Sequence, residues 1–195
     1  MESAPLHLDI CKAPKDGSAF WVTASDNVKL RVAHWKAPNP SKGTVVCFPG
    51  RGDYIELYGH TITELVDAGM STLVIDWRGH GLSDRVAKDP KIGHVDSFAD
   101  YQKDVAAMVS AAERLDLPKP WFVVAHSMGG CIALRSLIAN QPFDAAVLSA
   151  PMWGIEITAL ERAAAWPVTW LLKTIGKGKI YAPGSTAKSY VLKHA

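Results

Sequence analysis

Cysteine is scarce in this sequence. Cys11, Cys47 and Cys131 are the three present, odd in number and far apart, so neither a disulfide framework nor a CxxC metal pair is available. Cys47 falls in an apolar run and Cys131 at a helix start, and both read as small buried hydrophobes. An excess of charge of one sign is lacking too. Lys and Arg number 21 against 19 Asp and Glu, a net charge of +2, and no dense basic stripe occurs, which argues against nucleic acid as a partner. No uninterrupted apolar run is long enough to span a bilayer. The opening Met1-Glu2-Ser3-Ala4-Pro5 has neither the basic nor the apolar region of a secretory signal. The expected location is therefore the cytoplasm, with peripheral contact at the inner membrane left open. The seven histidines form no H-E-x-x-H or other metal-ligating spacing, so no metal is expected.

What is present is an ordinary globular composition, 48% hydrophobic over 195 residues, enough for one domain with a real core. Residues 1–18 are mixed and Pro-containing, and read as a loose lead-in. Residues 19–24 and 28–35 read as two strands around a Ser25-Asp26-Asn27 turn. Short apolar runs at 44–48, 72–75, 121–125 and 145–148 have the character of strands buried on both faces. Helical patterns separate them. One carries Ile55, Tyr58, Ile62, Leu65 and Val66 on one face and stops at Gly69. Another opens on Ser97-Phe98-Ala99-Asp100, a capping box with Asp in place of Glu, and runs to about Leu115. Strands alternating with helices predict a mostly parallel sheet with flanking helices, an α/β fold. Its ligands bind beyond the carboxyl ends of the strands. Four polar or Gly-rich loops fall there: 49–53, 76–84, 126–130 and 150–155.

One of these loops carries chemistry. Trp121-Phe122-Val123-Val124-Ala125-His126-Ser127-Met128-Gly129-Gly130 is an apolar strand that ends at a serine among small residues and passes at once into a helix. That is the pattern of a nucleophile elbow, with Ser127 at its apex. Gly129 and Gly130 supply the small neighbours where strand and helix nearly touch. Ala125 stands where G-x-S-x-G has its first glycine, a change of one methyl that is expected to be tolerated. The stretch 155–180 breaks the alternation and reads as an apolar helix pair around Ala163-Ala164-Ala165-Trp166-Pro167 and Trp170-Leu171-Leu172. Core remains one reading. Its place on the active rim favours a lid, and an apolar lid suits acyl-chain substrates.

A set of motifs in fixed order extends this pattern. Phe48-Pro49-Gly50-Arg51-Gly52-Asp53-Tyr54, Asp76-Trp77-Arg78-Gly79-His80-Gly81-Leu82-Ser83, His94-Val95-Asp96-Ser97-Phe98-Ala99-Asp100-Tyr101, the elbow, and Ala150-Pro151-Met152-Trp153-Gly154-Ile155 follow one another. Together they resemble the bacterial lysophospholipase L2 and monoacylglycerol lipase group of α/β-hydrolases, over roughly residues 20–160. The resemblance implies a carboxylic ester hydrolase acting on a monoacyl lipid or small ester, without metal or organic cofactor. It implies Ser127 as nucleophile, the backbone N–H groups of Met128 and Arg51 as oxyanion donors, and Ala125, His126, Gly129 and Gly130 as the elbow around them. Loss of one such donor costs roughly 3 kcal/mol of barrier. Arg51 departs from the commoner His-Gly-x-Gly loop, since Pro49 replaces the histidine. Its side chain is open to two readings, a partner for a lipid phosphate or a surface salt bridge.

A serine nucleophile needs a base and an orienting acid, in the order Ser, acid, His for this fold. No strand-end Asp followed by a strand-end His occurs after Ser127. Asp144 precedes its strand and lies at the wrong end, and His194 sits in a terminal tail. His126 belongs to the turn. His80 and His94 read as loop hydrogen-bonders, and His7, His34 and His60 carry no signal. The expected organisation is thus a lead-in at 1–18, a hydrolase core at 19–154 and the start of a lid at 155–195. The fold would be cut off after that start, with its fourth parallel strand left as an edge and little esterase activity in the chain alone. A peptidase or thioesterase would share the elbow. A haloalkane dehalogenase or epoxide hydrolase would want Asp in place of Ser127. From another class, the chain would be a non-catalytic lipid-binding or interaction module. A dinucleotide-binding fold fits poorly, because Ile55 and Asp84 stand where its third glycine belongs. Acyl length, head group and oligomeric state are not fixed by these residues.

Overall fold

The computed structural model describes residues 1–38, 41–87, 89, 92–154, 156 and 158–178. Six strands form one sheet in the order β1-β2-β4-β3-β5-β6. Strands β1 (Ser18–Thr23) and β2 (Lys29–Trp35) make an antiparallel hairpin, and β2 pairs antiparallel with β4 (Ser71–Asp76). The others run parallel to β4: β3 (Thr44–Phe48), β5 (Trp121–His126) and β6 (Ala145–Ser149). Asn27 takes a left-handed φ of 65° in the hairpin turn, a conformation its short polar side chain tolerates.

The apolar runs are explained by helices on both faces. Along β3, Val46 and Phe48 join one core and Val45 and Cys47 the other, as the two-residue period of a strand requires. The first core is closed by α2 (Tyr101–Arg114) and α3 (Met128–Ile138) through Val105, Met108, Ile132 and Ala133. The second is closed by α1 (Gly59–Asp67) through Ile62 and Val66. A 3₁₀ turn at Ile55–Tyr58 leads into α1.

Residues 1–18 are packed rather than loose. Ser3 bridges to Phe20, Ala4 N–H donates to Ala19 O at 2.9 Å, and Ala4 and Cys11 join the second core. The segment is also tied by charge. Arg31, buried in β2, makes a two-pronged pair with Glu56 at 2.7 Å and 2.7 Å, and its Nε donates to Asp76 at 2.7 Å. It also donates to Pro5 O at 3.0 Å, while Glu56 accepts from His7 N–H. Burial alone would raise the Glu56 carboxyl, but the Arg31 guanidinium holds it below the ordinary range. No apolar pattern marks such a strap, which is why the sequence reading missed it.

Four further expectations are corrected. Strand β6 exists but is not buried: among the described residues it pairs with β5 alone, and Val147 is 65% exposed. Cys131 is half-buried. The Ser97 cap is one-sided, with its hydroxyl accepting from Ala99 N–H while Asp100 pairs with Lys103. In place of a helix pair, the described residues form one helix, α4 (Ala159–Thr174), running through Pro167. It is opened by a reciprocal capping box between Thr158 and Glu161, which offsets part of the lost bond at the proline. None of its residues is buried, so α4 is not core. Among the described residues, no helix is long and apolar enough to cross a membrane.

Candidate active site

The parallel strands β3, β4, β5 and β6 end at Phe48, Asp76, His126 and Ser149. Their following loops therefore share one rim. Ser127 stands between β5 and α3 with φ 50° and ψ −116°, a region that costs a side-chain-bearing residue roughly 1–3 kcal/mol. The surrounding backbone holds it there. Ser127 N–H donates to Ser149 O at 3.0 Å, and Ser127 O accepts from Gly130 N–H and Met152 N–H at 2.9 Å each. The loop after β6 thus braces the turn after β5.

The small elbow residues are accounted for by contact. A Cβ on Gly129 would strike the carbonyl oxygens of Phe48 and Pro49, and one on Gly130 would lie 2.6 Å from the Pro151 side chain. Ala125 is buried in the first core, paired with Phe48 on one side and Leu148 on the other. Its extra methyl is absorbed by packing. His126 is exposed.

The loop after β3 lies against the elbow. A Cβ on Gly50 would sit 3.1 Å from the His126 ring and 3.4 Å from Ser127 Cβ. Gly50 N–H donates to Asp53 Oδ2 at 2.9 Å, and the Tyr58 hydroxyl donates to the same oxygen at 3.0 Å. Burial, then the charge of Asp53 beside it, pushes the Tyr58 phenol above its usual range. The Trp77 indole N–H donates to Pro49 O at 2.9 Å. Among the described residues, the N–H groups of Arg51 and Met128 have no backbone or side-chain acceptor. Arg51 is exposed on the rim, and no described residue pairs with it as a salt bridge.

The loop after β4 is fixed by a second buried cation. Arg78 donates to Asp104 of α2 at 2.6 Å and 2.9 Å and to Asp26 of the hairpin turn at 2.8 Å. His80 Nδ1 meets Arg78 O at 3.0 Å, and His94 Nε2 meets Asp96 at 3.0 Å. Both histidines are loop hydrogen-bonders, as the sequence predicts. Asp144 accepts from Trp121 N–H at 2.8 Å, at the amino ends of β5 and β6 and so opposite the elbow. No described side chain hydrogen-bonds to the Ser127 hydroxyl, and His194 lies outside the described residues. No group of three or more His, Cys, Asp or Glu among the described residues is arranged to hold a metal. Sequence reasoning missed the parts played by Asp53, Tyr58, Trp77, Arg78 and Asp104. Asp53, Trp77 and Arg78 stood inside the ordered motifs and Tyr58 on the apolar face of a helical pattern, but only the folded contacts give them partners.

Residues 39–193 match the family described as serine aminopeptidase, S33. The chain belongs to this family of α/β-hydrolases. Within that family it is similar to lysophospholipase L2 and to monoacylglycerol lipase. It is 37% identical over 139 residues to lysophospholipase L2 of Escherichia coli (strain K12), covering 69% of this chain and 40% of that protein. It is 29% identical over 119 residues to the monoacylglycerol lipase of Mycolicibacterium smegmatis, covering 60% of this chain and 40% of that protein. Among solved structures, the monoglyceride lipase of Saccharomyces cerevisiae, in a soluble variant with a substrate analogue, superimposes with a TM-score of 0.57 at 20% identity. That match covers 79% of this chain and 51% of the yeast chain. The chain thus spans 40% of the length of either curated relative, and the structural likeness carries the fold alone.

Proposed function

We propose that the chain carries the nucleophile and oxyanion hole of a serine ester hydrolase for monoacyl lipids, a lysophospholipid or a monoacylglycerol. The carrying observation is Ser127 at a left-handed φ of 50° on the strand-to-helix apex, with the Gly50 backbone close against it. In this reading Ser127 Oγ attacks the ester carbonyl. Negative charge then grows on the carbonyl oxygen, and the N–H groups of Met128 and Arg51 receive it without reorganising. The α3 N-terminus adds its positive end at the same point. The general base and its acid come from outside the described residues. The exposed Arg51 guanidinium is the group on the rim suited to a head-group phosphate. The exposed apolar side chains of α4, Leu160, Trp166, Trp170 and Leu171, support a lid that also touches the inner membrane surface from the cytoplasm. Similarity to a lysophospholipase and a monoacylglycerol lipase supports the ester over the peptide substrate that an aminopeptidase family suggests.

A fluorophosphonate probe tests the reading. A single adduct mapped to Ser127, with release of fatty acid from lysophosphatidylcholine or monoolein exceeding release of amine from an amino-acid anilide, is the expected result. A second reading, a non-catalytic lipid-binding module, draws on the absence of a described partner for the Ser127 hydroxyl. Lipid binding without an adduct would establish it and refute the first.

A further inference from the structure

Two consecutive peptide units of the loop after β3 are held, the first at both ends and the second at its carbonyl. The first is Pro49–Gly50. Its carbonyl oxygen accepts the Trp77 indole N–H at 2.9 Å, and its N–H donates to Asp53 Oδ2 at 2.9 Å and faces the Tyr58 hydroxyl at 3.3 Å. The second is Gly50–Arg51. Its carbonyl oxygen accepts Asp53 N–H at 3.4 Å, and its N–H is the one left without an acceptor. Glycine at position 50 is required by the close approach to Asp53, His126 and Ser127. That same glycine would let the backbone turn over, because it resists neither sign of φ. A turn-over of the Gly50–Arg51 unit would reverse the direction of the Arg51 N–H.

We infer that Trp77, Asp53 and Tyr58 are positioning residues that lock the Pro49–Gly50–Arg51 backbone so that the Arg51 N–H faces the oxyanion. The inference rests on the ester-hydrolase reading above. Trp77 is well placed for the task. It is fully buried, and its ring is wedged edge-on against Phe48 at 5.1 Å and Tyr101 at 5.8 Å. A donor set in such packing does not wander. Trp77 belongs to the loop after β4, so the lock couples that loop to the oxyanion hole. The Arg78 pairs with Asp26 and Asp104 hold the next residue of the same loop. The lock does not touch substrate. It acts only while charge sits on the carbonyl oxygen, so it bears on the chemical step and not on substrate capture.

Trp77→Phe removes the indole N–H and keeps an aromatic ring, and Tyr58→Phe removes only a hydroxyl. Each is made in the natural gene product and compared with the unsubstituted protein by fluorophosphonate labelling rate and by kcat and KM for 4-nitrophenyl butyrate, well below the melting temperature of each protein. The expected result is a fall of about tenfold to a hundredfold in kcat and in labelling rate with KM within about twofold, part of the loss seen when a donor is deleted outright. Parent-like rates in both variants, or a change confined to KM, would overturn the lock and leave Ser127 as nucleophile. A natural gene product that takes no label would overturn the hydrolase reading and the lock together. If Trp77→Phe does not fold, Tyr58→Phe decides between these outcomes.

Discussion

Gly129→Ala tests how rigidly the elbow is seated. The added Cβ would overlap the carbonyl oxygen of Phe48 and lie 2.6 Å from that of Pro49. Both are backbone atoms of β3 and its following loop, and β3 is hydrogen-bonded on both sides to β4 and β5. Neither atom can swing aside as a flexible side chain would. The first turn of α3 must retreat by roughly an ångström, in a core packed like a crystal. Overpacking of this kind costs about 1–3 kcal/mol, and alanine returns at most about 1 kcal/mol of helix propensity over glycine. The net is a loss of up to about 2 kcal/mol, a fall in Tm of up to about 4–8 °C for a chain of this size. The functional loss is larger than the stability loss, because Ser127 and the Met128 N–H ride on the displaced turn. A shift of that size costs up to about a hundredfold in rate. Calorimetry and fluorophosphonate labelling read the two effects. Gly154→Ala is the control, since nothing lies within 4 Å of the Cβ it would add. If Gly129→Ala melted and labelled as Gly154→Ala does, the close seating of α3 on β3 would be refuted.

Two more predictions concern strain and pH. Ser127→Gly abolishes labelling yet stabilises the fold by about 1 kcal/mol, because relief of a strain of roughly 1–3 kcal/mol outweighs the cost of glycine in the unfolded chain, about 0.5–1 kcal/mol; a lower denaturation midpoint with an unchanged slope would contradict it. His80 and His34 are held below the ordinary imidazole range, both chiefly by burial, which the bond to Arg78 O opposes at His80 and the charge of Lys36 reinforces at His34. The unfolded chain takes up a proton on each near pH 6.5, before the folded chain does. Stability is therefore fully present above about pH 6.5 and falls as pH drops below it, by up to about 1.4 kcal/mol per pH unit for each histidine. Chemical denaturation between pH 7.5 and 5.5 should show this slope. It should be reduced in His80→Gln, and a flat profile in the parent chain would rule the argument out.

The elements were largely legible because their signals are local. The runs at 44–48, 72–75 and 121–125 are apolar on both sides of the strand, and only a sheet covered on both faces buries such runs. The elbow was legible for the same reason, since a strand, a serine among small residues and a helix are adjacent in sequence. The lead-in and α4 misled for complementary reasons. Residues 1–18 lack periodicity, yet Pro5 O and His7 N–H find partners on Arg31 and Glu56, residues far off in sequence. Pro167 signals a break, yet α4 continues through it, since one missing bond does not outweigh a capped helix of 16 residues.

The sequence by itself determined the family, the strand-turn-helix at Ser127 and the rim on which its unusual loops lie. These follow from period, from steric need and from the order of motifs along the chain. Only the tertiary structure decided which groups hold the rim in place. Arg31 with Glu56 and Asp76, Arg78 with Asp26 and Asp104, and Trp77 with Pro49 O each join residues more than 20 positions apart. A hydrogen bond or buried ion pair depends on distances of about 3 Å between atoms. Spacing along the chain does not encode such distances; the register of β2, β3 and β4 in the folded sheet does.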